Sequence, residues 1–137
     1  MAWVFDASIS IAWAFDDEKT PETEALLDRL RQEDAFVPAL WHLEIANLLS
    51  QAIRKKARLT LSQRTQFLSM LAGEKINIDP LTHVQAWNAT LALADSHKLS
   101  TYDAAYLELA IRMGVELATL DKDLRLAAAK AGVTVIP

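Results

Sequence analysis

The sequence predicts an α/β fold: a parallel sheet covered by helices on both faces. Three observations predict it. Short apolar runs of strand length recur five times along the 137 residues. Segments with helical periodicity separate them, so strands and helices alternate. The only three glycines, Gly73, Gly114 and Gly132, each follow a helical segment, where a C-terminal cap belongs.

Taken in order, "AWVF" (2–5) is the first strand. Thr20-Pro21-Glu22 then opens a helix over 21–33, with an N-cap, proline at the first helical position and Leu26, Leu27 and Leu30 as the apolar face. "AFVP" (35–38) is the second strand, ended by Pro38. A helix over 40–56 carries Leu40, Leu43, Leu48, Leu49, Ala52 and Ile53. A Ser62 cap starts the next, over 63–72. "INID" (76–79) is the third strand, stopped by Asp79-Pro80, and a Thr82 cap opens a helix over 83–97. Residues 103–113 form a helix, "ELAT" (116–119) the fourth strand, 123–131 a helix and "VTVI" (133–136) the fifth strand. No linker, repeat or low-complexity segment divides the chain, so residues 1–137 read as one domain.

Composition narrows the function. The chain has no cysteine, which removes disulfides, thiolate metal sites and a cysteine nucleophile. Three glycines cannot build a phosphate-cradling loop. Net charge is −4, so a nucleic acid would have to be met by local basic groups against the overall field. No apolar run spans a bilayer, and residues 1–15 lack the basic start of a secretory signal. A cytoplasmic location with no membrane partner is the expectation.

Ligands of parallel sheets bind beyond the carboxyl ends of the strands. Asp6 sits there, the one charge in "WVFDASISIAWAF", after the first strand. Asp121, in "ATLDKDL", follows the fourth. Glu44 shares a helical face with Leu40 and Leu48, and Asp103 one with Leu107 and Ala110. Each also has a plainer reading. Asp6, Asp103 and Asp121 could cap helices, with Ser100 and Thr101 competing for Asp103's place. Glu44, inside its helix, could be a buried, paired glutamate. Jointly, four converging carboxylates would repel one another by roughly 3 kcal/mol per pair at about 5 Å. A divalent cation resolves the conflict, and all-oxygen ligands suit Mg²⁺ or Mn²⁺.

"VFDASI", "LEIANLL", "LSTYDAAYLELA" and "ATLDKDLRLAAAKAGV" resemble, in order, the four motif blocks of the PIN domain, and more narrowly those of VapC-type toxins of toxin–antitoxin pairs. The resemblance runs from Asp6 to Val133. It implies a three-layer α/β/α sandwich with a mostly parallel four- or five-stranded sheet, and Mg²⁺-dependent endoribonuclease activity. It places catalytic metal ligands at Asp6, Glu44, Asp103 and Asp121, with Asp123 as a further acid. Ser8, Asn47 and Thr119 match polar positions beside the site. It also implies a homodimer and a cognate VapB-type antitoxin whose tail blocks the acidic site.

RNA would be gripped by "RKKAR", with Arg54, Lys55, Lys56 and Arg58, and by Lys122, Arg125 and Lys130 near the fourth motif. The first group could equally be a solvated helix end. Trp3, Trp13, Trp41 and Trp87 could stack on bases, but three of the four lie inside apolar patterns that suit packing in the core or at a dimer interface. His42, His83 and His97 form no recognisable pair, and His42-x-Glu44 lacks the cysteines of a zinc deaminase. A phosphotransfer receiver fits less well, since Asp6 stands alone and Asp79 precedes Pro80. A metal-dependent DNA nuclease and a non-catalytic binding module could both be built on the same fold.

Overall fold

The structure, a computed structural model, describes residues 1–55 and 57–137. Five strands form one sheet: β1 (Ala2–Phe5), β2 (Asp34–Val37), β3 (Ile76–Ile78), β4 (Glu116–Ala118) and β5 (Val135–Ile136). Their order is β3-β2-β1-β4-β5 and every pairing is parallel. Helices cover both faces, giving the three-layer α/β/α sandwich. The five-stranded expectation holds, and "mostly parallel" becomes entirely parallel.

β1 is central, and Trp3, Val4 and Phe5 are wholly buried. This is why its sequence is uninterrupted by polar residues: a strand covered on both faces has no wet side. Phe5 packs at 5.5 Å from Trp13 and 5.7 Å from Trp41, centroid to centroid. Three of the four tryptophans are core; Trp87 is 90% exposed.

The chain leaves β1 through Asp6 directly into α1 (Ala7–Ala12), a helix the apolar run "SISIAWAF" hides. Its start is fixed by the Asp6 side chain, which accepts from the backbone N–H groups of Ser8 and Ile9. α2 (Pro21–Arg29) begins with the expected Thr20 cap, completed by Thr23 into a reciprocal pair. α3 (Trp41–Arg54) buries Trp41, Ile45, Leu49 and Ala52. The core stripe is therefore rotated from the expected one: Leu43 is 77% exposed and Leu48 is also exposed.

α4 (Leu61–Ala72) starts at a Thr60 cap closed by Gln63, not at Ser62. The single helix expected over 83–97 is broken. α5 (Thr82–Gln85) runs into a π-helical turn at 86–90, with Asn88 outside helical backbone angles, before α6 (Leu91–His97). Thr82 does not cap it: its hydroxyl accepts from the Ala39 backbone N–H instead. α7 (Thr101–Met113) packs on β1 and β4. It is capped by Ser100 and closed by Gly114 at φ 67°, a left-handed turn that only glycine adopts freely. α8 (Lys122–Lys130) is capped by Asp121. Among the described residues no helix is long and apolar enough to cross a membrane.

Candidate active site

In the sheet order β3-β2-β1-β4-β5, successive connections run one way from β1 to β3 and the other way through β4 and β5. The reversal falls at the carboxyl ends of β1 and β4, where sheets of this kind bind their ligands. Asp6 follows β1, Thr119 and Asp121 follow β4, and the first turns of α3 and α7 bring Glu44 and Asp103.

Asp6 is the most constrained group. Its Oδ1 accepts from Ser8 N–H at 3.0 Å, Ile9 N–H at 3.2 Å and the Ser8 hydroxyl at 2.6 Å. Its Oδ2 accepts from the Thr119 hydroxyl at 2.5 Å. Both hydroxyls also accept from the loop after β4. Ser8 Oγ takes the Leu120 N–H at 2.9 Å and Thr119 Oγ1 takes the Asp121 N–H at 3.0 Å. Each hydroxyl thus spends its one proton on Asp6. The carboxylate is held in a single orientation, and Oδ2 keeps a free lone pair. Burial pushes the Asp6 carboxyl up to about 6; the Ser8 and Thr119 donors act against this, and the charge of Asp103 adds to it.

Glu44 is half-buried, and its Oε1 accepts from the Tyr106 hydroxyl at 2.5 Å. Tyr106 is itself buried. Burial and the neighbouring charge of Asp103 raise the Glu44 carboxyl; the tyrosine hydrogen bond opposes them. A second chain of bonds ties α3 to Asp6. Trp41 Nε1 donates to Ser10 Oγ at 2.9 Å, and Ser10 Oγ donates to the Asp6 carbonyl at 3.0 Å.

Asp103 links the group. Burial raises its carboxyl first, then the charges of Asp121 and Asp123. It in turn acts on Asp6 and Glu44. Asp121 is exposed and caps α8, its Oδ2 accepting from Leu124 N–H at 2.9 Å. Asp123 is exposed in the first turn of α8. Thus the capping reading holds for Asp6 and Asp121. For Asp103 the cap is Ser100.

Among the described residues, no ion pair involves any of these five acids. Nor do any three of the His, Asp and Glu side chains stand close enough, as placed, to ligate one ion. The acids are coupled through their fields rather than closed into a cage. Their chemistry nonetheless fits a hard divalent cation. The donors are all carboxylate oxygens, three of them are lifted by burial and mutual repulsion, and no side-chain cation balances them.

Ser8 and Thr119 both contact Asp6, whereas Asn47 is exposed one turn beyond Glu44. The basic residues fare unevenly. Arg58 is engaged by Asp17 and Glu18 and lies over the Phe15 ring. Arg125 donates to the carbonyls of Thr119 and Pro137, joining the ends of β4 and β5. Arg54 and Lys55 end α3, roughly 15 Å of helix rise from Glu44. Lys56 lies outside the described residues, and Lys122 is exposed beside Asp121. Sequence reasoning passed over Tyr106 and Ser10. Tyr106 had a signal: it stands one turn after Asp103 on an apolar stripe, and a buried hydroxyl needs a partner.

Residues 3–130 match the PIN domain family. Three solved structures are similar in fold. PAE2754 from Pyrobaculum aerophilum is 24% identical, with TM-score 0.69 over 98% of this chain and 83% of that one. FitAcB from Neisseria gonorrhoeae is 20% identical, with TM-score 0.64 over 98% and 96%. VapBC2 from Rickettsia felis, bound to a DNA fragment from its promoter, is 12% identical, with TM-score 0.65 over 98% and 97%. A search of curated proteins found no match. With the family match spanning residues 3–130, nearly all of the chain, the protein belongs to the PIN-domain family.

Proposed function

We propose that this chain is a Mg²⁺- or Mn²⁺-dependent endoribonuclease and the toxin of a VapBC-type toxin–antitoxin pair. The observation that carries the reading is the coupling of Asp103 to Asp6, Glu44, Asp121 and Asp123, unbalanced by any side-chain cation among the described residues. PIN domains are generally metal-dependent nucleases. The fold likeness to VapBC2 and FitAcB supports the narrower assignment.

Asp6, Glu44, Asp103 and Asp121 would hold the ion, with Asp123 at the rim. Bound there, it would lower the pKa of a water and offset charge developing on the phosphate. The chain's own groups do the rest. Ser8 and Thr119 aim Asp6 by donating to it, and Tyr106 aims Glu44. A carboxylate oxygen free of hydrogen-bond donors, Glu44 Oε2, would orient the attacking water in line with the scissile P–O bond. Hydrolysis leaves a 5′-phosphate and a 3′-hydroxyl. No histidine base is needed, and none lies among the groups that hold these acids.

A cognate VapB-type antitoxin and a homodimer complete the proposal. Trp87, exposed at the π-helical turn, is the kind of side chain an interface covers. The cytoplasm is the proposed location. The test is incubation with total RNA, and separately with single-stranded DNA, in Mg²⁺, Mn²⁺ or chelator, followed by mapping of the cut ends. Metal-dependent RNA cuts with 5′-phosphate ends support the reading. Cleavage of DNA alone, or cleavage that survives chelator, contradicts it.

A further inference from the structure

We infer that the cleft between the α6–α7 corner and α8 is a phosphate-binding groove for the substrate strand next to the scissile bond, with Lys98 and Lys130 as its cations. This rests on the nuclease reading above. The cleft measures about 540 Å³, and Ser96, His97, Lys98, Asp123 and Lys130 are among its walls. Asp123 belongs to both regions: it lines this cleft, and its charge reaches Asp103. The cleft therefore adjoins the first turn of α8, which Asp121 caps. Lys98 is also only two residues before the Ser100 cap of the helix that carries Asp103.

The distribution of cations favours the same place. Arg29, Arg31, Arg58, Arg112, Lys19 and Lys75 are committed to carboxylates. Arg125 is committed to backbone carbonyls. Among the described residues Lys98 and Lys130 are exposed and form no ion pair, although Asp123 shares their cleft. Arg54, Lys55, Arg64 and Lys122 likewise form no ion pair, but among the described residues without one it is Lys98 and Lys130 that share a cleft, beside the carboxylates a polyanion must be drawn past.

Lys98 stands at the turn between α6 and α7. It ends α6 in the left-handed region, at φ 55°. The comparable left-handed positions after α7 and α8 are glycines, Gly114 and Gly132. Lysine suits the role: it acts as a point charge on phosphate and reads no base.

The test uses the full chain, a labelled ten-nucleotide single-stranded RNA, and the K98Q/K130Q double variant, with K75Q, exposed just before β3 at the amino end of the sheet, as control. Cleavage kinetics in Mn²⁺ and anisotropy binding in chelator are measured across a salt series. The double variant should raise KM with kcat retained, and should lower the slope of log affinity against log salt by about 1.4, two single-strand phosphate contacts. K75Q should match the wild type, and melting curves of all three should coincide. If the wild type binds and cuts RNA but the double variant keeps its KM and salt slope, the groove is wrong while the nuclease stands. If the wild type neither binds nor cuts RNA, both readings fall.

Discussion

Asp6→Asn should make the metal-free protein more stable while removing its response to metal. Asp6 is buried, and burial lifts its carboxyl from an ordinary 3.8 to about 6. That gap corresponds to ~3 kcal/mol of folding free energy forgone when the group is ionised. The sign follows from proton uptake. Between the two values the folded chain binds a proton that the unfolded chain has lost. Stability from this group is therefore fully present below 3.8 and lost as pH rises through about 6. Asparagine carries no charge to desolvate and keeps Oδ1 for the Ser8 and Ile9 N–H groups. It does place an N–H₂ where the Thr119 hydroxyl now donates, a mismatch of about 1 kcal/mol. The net gain is ~2 kcal/mol at pH 7.5, or roughly 6 °C in Tm for a domain of this size. Melts in chelator from pH 5 to 8 should show the wild type gaining stability toward pH 5 and the variant gaining less. Added Mn²⁺ should raise only the wild-type Tm strongly. A variant that melts below the wild type in chelator at pH 7.5 would refute the reasoning, because Asp6 would then stabilise the fold by itself.

Tyr106→Phe should weaken Mn²⁺ binding by tenfold or more, measured by calorimetric titration, while leaving the fold intact, since only the hydroxyl that aims Glu44 is removed. Arg112→Met should destabilise by ~3–5 kcal/mol in urea melts, because it strands two buried carboxylates, Asp79 and Glu108, that now share one guanidinium. Gly114→Ala should cost about 1 kcal/mol in the same melts through its left-handed backbone, since open space surrounds the position.

The alternation of strand and helix was legible because the strands read as short apolar runs, most plainly the buried central one; "AWVF" matches β1 residue for residue. α1 was not legible, because Ser8 and Ser10 alternate with apolar residues in a way that continues a strand. Only the bonds of Asp6 to Ser8 and Ile9 show that the chain turns there. The break at Asn88 had no punctuation, since no proline or glycine stands near it. The acids were legible as charges out of place on apolar stripes. Their placing was less so for Glu44, whose neighbours Leu43 and Leu48 face outward. "RKKAR" looked like a substrate grip because spacing along a helix does not show which end faces the site; Glu44 occupies the first turn and the basic run the last. What a linear reading lacked throughout was the partner of each polar group, as with Tyr106 for Glu44 and Thr119 for Asp6.

The central claim is that carboxylates from four separate segments act on one divalent ion through Asp103. Titration of Mn²⁺ into the wild type and into Asp103→Asn, followed by electron paramagnetic resonance of the free ion, tests it most directly. The account predicts saturable binding by the wild type and at least a tenfold loss in the variant. Equal binding by the two proteins would contradict it.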